Sequence, residues 1–167
     1  SYVAIIVLVF VLIFLFSQST VRLFYKEQLK THLDRISVVI KPKTAELFKT
    51  GDMAALDTMA KKLGKESDIR ITIIKPDGQV MADSENDPAK MENHGDRPEV
   101  LAALKGDKAD STRFSSTMGE QMLYLAVPVE ENSGETLFVL RVSLYVSDIQ
   151  ELIQELKWKI TGALLIL

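Results

Sequence analysis

Four polar side chains in the middle of the chain have residue types that could bind an anion together. His94 and Arg97 lie in a loop just before a short predicted helix, whereas Arg113 and Tyr124 lie on two later predicted strands. Arginine offers paired N–H donors that match a carboxylate or a phosphate, and imidazole and phenol groups add further hydrogen bonds. These four residues are therefore candidate binding residues for a small anionic ligand.

The same residues also have structural interpretations. Arg97 is close in sequence to Asp96 and Glu99, so it could cap the helix or form an ion pair with either carboxylate. Arg113 could be an exposed strand residue, and a histidine such as His94 is more often a structural hydrogen-bonding group than a ligand contact. The sequence leaves both interpretations open.

Composition and motifs exclude several classes of function. The formal net charge is -3 and 26% of the residues are charged, so the chain lacks the basic surface that nucleic-acid binding requires. There is no cysteine, which excludes disulfides, thiolate zinc sites and cysteine nucleophiles. The two histidines are far apart, and no nucleophile-elbow, P-loop, zinc-protease or dinucleotide-binding motif occurs. We predict no catalytic residue and no cofactor.

An acidic loop partly matches a calcium-binding pattern. Asp83, Glu85 and Asp87 occupy the first three ligand offsets of an EF-hand loop. Pro88 stands where that loop needs glycine, and His94 stands where it needs glutamate. No metal site is predicted, and the loop is interpreted as a solvated acidic segment, with a looser divalent-cation contact as the alternative.

The segments that would position the candidate residues begin with helices. After residue 16, apolar residues recur at helical spacing, which predicts a long helix that bends near Pro42, where a backbone donor is lost. The residues of this apolar stripe are Leu29, Leu33, Ile36, Ile40 and Leu47. The stripe either packs on a sheet or forms a seam with a second copy of the chain. A second helix is predicted over 52–63, with Asp52 as N-cap and Gly64 as C-terminal stop.

Strand patterns follow the helices. The predicted strands are 69–73, 79–83, 111–117, 121–130 and 135–143. Residues 75–78 and 132–134 have the composition of hairpin turns, and a short helix begins at Pro98 and is closed by Gly106. The predicted fold class is α+β, with a five-stranded antiparallel sheet, a long N-terminal helix and helices mostly on one face.

The two ends of the chain are apolar. Residues 3–16 contain no charge and no proline, and a second apolar run begins at Ile160, after an aromatic residue between two lysines that suits a water–lipid boundary. We therefore predict two partial membrane spans, 1–16 and 157–167, on either side of an extracytoplasmic domain, 17–156. Because Ser1 is not methionine, the first span is expected to continue upstream. A signal-peptide core is the alternative for the first run.

An ordered string of short motifs runs through residues 69–130. It comprises Arg70-Ile71-Thr72-Ile73-Ile74, Asp77-Gly78, Ala82-Asp83-Ser84, Asp87-Pro88, Met91, Asn93-His94, Arg97-Pro98-Glu99, Ala103-Leu104, Gly106, Arg113, Ser115, Met122-Leu123-Tyr124 and Ala126-Val127-Pro128. This string resembles the periplasmic sensor domain of PhoR-type bacterial histidine kinases. The resemblance implies a PAS-like (Cache-type) fold in a two-pass receptor of the bacterial inner membrane. It also implies HAMP, histidine-phosphotransfer and ATP-binding parts beyond Leu167, and a response regulator as partner. Chemoreceptors and diguanylate cyclases carry similar domains and remain alternatives.

A final predicted helix connects the domain to the second span. It opens at a capping box, Ser147 with Gln150, and its apolar stripe comprises Ile149, Ile153, Leu156 and Ile160. Because the entry and exit helices continue into the spans, a change in their packing on the sheet would move the membrane helices. We expect a parallel homodimer that responds to a small anionic ligand or to a periplasmic protein. A ligand-free interaction or dimerisation module is the remaining alternative.

Overall fold

A five-stranded antiparallel sheet forms the centre of the domain, and helices pack on both of its faces. The computed structural model describes residues 2–116, 118–131, 133–146, 158–159 and 162. Within these residues the helices are α1 (Tyr2–Thr50), α2 (Met53–Ser67) and α3 (Pro98–Leu104), with a 3-10 turn at Pro88–Lys90. The strands are β1 (Arg70–Ile74), β2 (Val80–Asp83), β3 (Ala109–Ser115), β4 (Glu120–Glu130) and β5 (Thr136–Tyr145). The predicted α+β class, long N-terminal helix and five strands are confirmed.

The strand order, β2-β1-β5-β4-β3, makes β5 the central strand. Directly opposite residues of antiparallel neighbours place their side chains on the same face of a sheet. β1 and β5 pair Thr72 with Arg141 and Arg70 with Ser143, while β4 and β5 pair Tyr124 with Ser143. These registers place Arg70, Arg141 and Tyr124 on one face, although they come from three strands.

The opposite face is apolar and packs against α1 and α2. Leu33 and Ile40 of α1 and Leu56 of α2 are buried there with the strand residues Ile71 and Leu140. The other residues of the predicted stripe, Leu29, Ile36 and Leu47, pack against the same cluster. The stripe is therefore the core face of α1, and it is not available as a seam between two copies.

The end of α2 differs from the prediction. Asp52 is the N-cap, as predicted, because its carboxylate accepts a hydrogen bond from the amide of Ala55. The helix continues past Gly64, and Asp68 ends it in the left-handed conformation (φ 54°) while donating its amide proton to the Gly64 carbonyl. A Cβ on Gly64 would lie 2.4 Å from the Cβ of Ser84. Gly64 is thus a close-packing residue against the end of β2, and the prediction that it stops the helix was wrong.

The segments predicted to enter the membrane are covered only in part. α1 includes residues 2–16 and runs without interruption through Pro42, where the bend stays a prediction. No helix among the described residues combines the length and the apolarity that a membrane crossing requires. The residues predicted to transmit the signal, Ile149, Ile153, Leu156 and Ile160, lie outside the described residues.

The second face of the sheet carries α3 and the loop before it. Val100 and Ala103 of α3 are buried against Ile74, Ala126 and Val139, which gives this face a small apolar cluster of its own. Both faces of the sheet are therefore covered, and polar strand residues beside this cluster point into the protein instead of into solvent.

Candidate anion-binding site

Three strands and the loop before α3 bring four arginine side chains together on this second face. Arg70 lies on β1, Arg113 on β3 and Arg141 on β5, and Arg97 directly precedes α3. All four line one cavity of about 10 Å³, which has room for about one water molecule. The other lining residues are His94, Ser115, Ser116 and Tyr124. We call Arg70, Arg97, Arg113 and Arg141 the arginine cluster.

The ring of Tyr124 supports two guanidiniums of the cluster. The Cζ atom of Arg113 lies 4.3 Å from the ring centroid, and the Cζ atom of Arg141 lies 4.9 Å from it. Tyr124 is buried on β4, which runs between the strands that carry these two arginines. A cation over a desolvated aromatic face gains about 2 kcal/mol or more, so the ring holds two like charges close together.

Asp83 at the end of β2 balances one of the buried charges. Its carboxylate accepts hydrogen bonds from Arg70 Nε at 3.1 Å and from Thr72 Oγ1 at 2.8 Å, and also from two backbone amides of the acidic loop. The Thr72 hydroxyl in turn accepts a hydrogen bond from Arg141 Nη2 at 3.3 Å. Both carboxylate oxygens of Asp83 are therefore occupied within the protein, and this residue positions Arg70 and Arg141.

Glu99 on α3 balances the cluster less completely. Its Oε1 atom lies 3.4 Å from Arg113 Nη2 and 3.5 Å from Arg141 Nη1. Several buried donors of the cluster have no hydrogen-bond partner among the described residues; they are Arg70 Nη2, Arg97 Nε, Arg113 Nε, and Arg141 Nε and Nη1. Arg97 is also paired with two exposed carboxylates, since its Nη2 lies 3.7 Å from Glu92 Oε2 and its Nε lies 3.5 Å from Asp96 Oδ1. The cavity therefore gathers four guanidiniums around two buried carboxylates and, within the described part of the chain, leaves several buried N–H donors without a hydrogen bond.

His94 is uncharged in this environment. Burial, together with the positive charges of Arg141, Arg97, Arg70 and Arg113, lowers the pKa of its imidazole to about 3. Its backbone amide donates to the carbonyl of Gly78 at 2.9 Å, which ties the loop to the β1–β2 turn. A neutral imidazole can give a ligand one donor or one acceptor without adding a fifth cation.

A larger cleft lies beside the cluster. It has a volume of about 400 Å³ and is lined by Asn86, Asp87, Lys90, Met91, Glu92, His94 and Ser116. His94 and Ser116 line both the cleft and the cluster cavity, so the two spaces are neighbours. The volume falls within the range of small-molecule pockets.

The four residues selected from the sequence are brought together. His94, Arg97, Arg113 and Tyr124 all line the cluster cavity, and Arg113 stacks on Tyr124 instead of being an exposed strand residue. Arg97 also forms the ion pair with Asp96 that its structural interpretation predicts, since its Nε lies 3.5 Å from Asp96 Oδ1.

Sequence reasoning missed Arg70 and Arg141. Both are almost completely buried, at 2% and 1% exposure; Arg70 is the first residue of β1, and Arg141 lies in the middle of β5. A cation inside an apolar strand signals a buried, paired charge once both faces of the sheet are known to be covered.

The acidic loop uses its carboxylates internally. Asp83 binds Arg70, Asp87 caps the 3-10 turn through the amide of Ala89, and Glu85 accepts a hydrogen bond from Tyr145 at 3.1 Å. In the described part of the chain, no three acidic or histidine side chains are grouped so as to hold a metal ion. The carboxylates of Asp83, Glu85 and Asp87, whose spacing resembles a calcium loop, therefore do not converge on a common point.

The sequence matches a known family, and the fold matches solved structures. The family described as Single Cache-like matches residues 24–144. No curated protein matches the sequence. The sensor domain of the V. cholerae histidine kinase DctB has a similar fold, with a TM-score of 0.54 and 17% identity over 75% of this chain and 58% of that chain.

Two further structures have a similar fold. The ligand-binding domain of the Pseudomonas fluorescens chemoreceptor CtaA, solved in complex with L-serine, has a TM-score of 0.58 and 13% identity over 74% of this chain and 56% of that one. A domain of a sensory box/GGDEF family protein from Vibrio parahaemolyticus has a TM-score of 0.53 and 8% identity, over 72% of this chain and 56% of that one. This chain spans a little over half the length of the three domains, and the likeness is one of fold.

Proposed function

The chain is a sensor domain that belongs to the Single Cache-like family, and on that premise we propose that its arginine cluster detects a small anion. The observation that carries the proposal is that four guanidiniums line one cavity while several of their buried N–H donors make no hydrogen bond among the described residues. The unused N–H donors of the cluster match the oxygens of a carboxylate or phosphate group. The neighbouring cleft would accommodate the rest of the ligand.

We further propose that the parent protein is a two-pass sensor histidine kinase of the bacterial inner membrane. Residues 1–16 and 157–167 would be parts of its two spans, and residues 17–156 would face away from the cytoplasm. The kinase would then signal to a response regulator through parts that lie beyond this chain. The motif string in β1, in the loop before α3 and in β4 supports this assignment. The fold is also similar to domains of a chemoreceptor and of a GGDEF protein, and these outputs are the alternatives.

A periplasmic protein is the rival signal. It would bind a surface and would not need a pocket beside Arg97. The cluster cavity has room for about one water, so the adjoining cleft of about 400 Å³ is what favours a small molecule. Arg70 and Arg141 are buried with N–H donors that make no hydrogen bond in the described part of the chain, and a module that only binds proteins or dimerises would have no ligand to offset that cost.

Thermal unfolding of the 167-residue chain in detergent, titrated with inorganic phosphate, malonate and acetate, tests anion sensing. An anion at 100 times its Kd stabilises the folded state by about 2.7 kcal/mol, which raises Tm by several degrees. Arg97→Ala and Arg113→Ala are expected to abolish this rise, because each removes cluster donors from a partly accessible side chain.

Arg35→Ala is the matched control, because Arg35 is an exposed arginine on α1, outside the cluster. It removes the same charge and should keep the full rise in Tm. Equal anion-induced shifts in the wild type and in both cluster variants would contradict the proposal.

We also propose that the receptor is a parallel homodimer that pairs through the outer face of α1. The inner face of α1 packs on the sheet, so a second copy must contact another side of the helix. Val38 and Val39 are 65% and 76% exposed there, so two adjacent apolar side chains of the helix lie open to a second copy. Their burial by a second copy would bring the two entry helices side by side.

A further inference from the structure

Glu99 occupies an unusual position for a carboxylate. It is the second residue of α3, directly after Pro98, and its side chain is completely buried. Its Oε1 atom lies between two guanidiniums of the cluster, 3.4 Å from Arg113 Nη2 and 3.5 Å from Arg141 Nη1. Both guanidiniums also lie over the ring of Tyr124, so Glu99 stands between two cations that the proposed anion would contact.

The contacts of Glu99 are poor for a buried ion. Charge-assisted N–H···O bonds are about 2.7–2.9 Å long, and arginine binds carboxylates best through two parallel bonds. Here one oxygen is shared between Arg113 and Arg141 at longer distances, and Glu99 Oε2 has no hydrogen-bond partner among the described residues. Arg113 Nε and Arg141 Nε also lack a hydrogen-bond partner among the described residues. The carboxylate offsets part of the positive charge but, in that part of the chain, leaves its own Oε2 and several arginine donors without hydrogen bonds.

We propose that Glu99 is an internal stand-in for the ligand, which an incoming anion displaces from Arg113 and Arg141. This inference rests on the proposed anion binding and adds that the protein's own carboxylate sets the affinity and the response. A free anion with two or three oxygens can approach both guanidiniums at bonding distance, which the carboxylate fixed on α3 does not do. Competition with Glu99 lowers the apparent affinity for the anion, so the site fills only at high anion concentration.

Displacement of Glu99 would also change how α3 packs on the sheet. α3 has only seven residues, and the buried neighbour Val100 packs on β1, β4 and β5. When the carboxylate leaves the cluster, the first turn of α3 loses its ionic anchor and must repack on the sheet. Anion binding is thereby coupled to the strands that contact α1 on the other face.

Isothermal titration of the full chain with inorganic phosphate and with malonate tests the inference. Glu99→Gln keeps the size of the side chain but removes the competing charge. The variant is expected to bind both dianions about ten-fold or more tightly than the wild type, because a like charge at contact distance from the ligand is gone. The affinity for acetate, which carries a single charge, should increase less.

Asp96→Asn is the matched control. It removes the same charge beside Arg97, but Asp96 is exposed and lies 3.5 Å from Arg97 Nε outside the buried pair. Its effect on affinity should stay within about two-fold, because solvent screens it. A gain in Asp96→Asn as large as that in Glu99→Gln would show a general effect of charge and would overturn displacement.

The remaining outcomes separate the two proposals. Binding by the wild type that is no tighter in Glu99→Gln overturns the stand-in role alone, and anion sensing stands. Binding by neither protein overturns both. If Glu99→Gln does not fold, amide hydrogen exchange of the wild type decides. Saturating phosphate should accelerate exchange in residues 99–104 by about ten-fold, and unchanged or slower exchange there overturns the displacement.

Discussion

At the scale of single residues, the site depends on whether the buried arginines on the second face of the sheet stay charged and paired. Arg141 is buried among like charges, and burial lowers the pKa of its guanidinium to about 10, while Glu99 opposes the shift. It therefore remains a cation at neutral pH. Arg70 is balanced by Asp83, and removing one partner of such a buried pair costs about 3–5 kcal/mol, because the other charge is left uncompensated.

His94 makes stability depend on pH in a defined window. The imidazole titrates near 6.5 in the unfolded chain, whereas burial and the arginine cluster lower its pKa to about 3 in the fold. Between these values the unfolded state binds more protons, so stability is full above about pH 6.5 and falls as the pH falls towards 3. His94→Gln should remove about 1–2 kcal/mol of the loss between pH 7 and pH 4.5, a value reduced for screening by solvent in the cleft.

Denaturant unfolding of both proteins at pH 7 and pH 4.5 measures this difference. His32→Gln is the control, because His32 is exposed on α1 and lies outside the cluster. It should keep the pH dependence of the wild type. A His94→Gln variant that loses as much stability in acid as the wild type would show that His94 is not held neutral.

Residue type and local pattern were enough to predict four residues that lie together at the candidate site. His94, Arg97, Arg113 and Tyr124 stood out because a loop and two strands offered donors at the right places, and they line one cavity. Arg70 and Arg141 could not be found in the same way, because strand alternation predicts that a charged residue faces solvent. Only tertiary structure shows that α3 and its loop cover that face.

At the scale of elements, Gly64 determines how closely α2 approaches the sheet. Gly64→Ala would gain about 1 kcal/mol of helix propensity. The new Cβ would lie 2.4 Å from Ser84 Cβ and 3.0 Å from the carbonyl oxygen of Ile69, and overpacking of this kind costs about 1–3 kcal/mol. Because the obstacles are a Cβ and a backbone atom, the cost should exceed the gain. We expect a net loss of up to about 2 kcal/mol in the free energy of unfolding.

A double-mutant cycle with Ser84→Gly provides the control. That substitution removes the obstructing Cβ but also the hydroxyl that accepts a hydrogen bond from the Ile71 amide at 3.0 Å. If steric contact is the cause, the double variant should be more stable than the sum of the two single losses predicts. Additive losses would assign the effect of Gly64→Ala to another cause.

The long helix illustrates what periodicity can and cannot determine. An apolar residue at every third or fourth position indicates a buried face, whether the partner is a sheet or a second helix. The pattern from Leu29 to Leu47 therefore predicted the helix correctly but left its partner open. Burial of Leu33 and Ile40 with strand residues shows that the partner of this face is the sheet.

At the scale of the whole molecule, ion pairs join the long helix to the edge of the sheet that carries Arg113. Lys30 Nζ lies 2.7 Å from Asp110 on β3, and Lys108 Nζ lies 2.8 Å from Asp34 on α1. Burial alone would raise the pKa of Asp110, but the hydrogen bond and charge of Lys30 outweigh it and lower that pKa. Because β3 carries Arg113 as well as Asp110, it links the arginine cluster with the helix that leads towards residue 2.

Disulfide crosslinking in membranes tests how two copies would use that helix. The chain has no cysteine of its own, so each single-cysteine variant can crosslink only through the introduced residue. Val39→Cys, at an exposed position on the outer face of α1, should crosslink to a second copy under mild oxidation. Ile36→Cys, whose side chain packs against the core, should not, because a disulfide requires Cα atoms about 4.4–6.8 Å apart.

Anion binding should then change the rate of crosslinking at Val39, because displacement of Glu99 would reach α1 through the sheet. Phosphate added to the Arg113→Ala variant supplies the control, since that protein should crosslink at the unstimulated rate whether the anion is present or absent. Efficient crosslinking at Ile36, or none at either position, would contradict pairing through the outer face of α1. Crosslinking at Val39 that ignores the anion would leave the dimer in place but separate it from sensing.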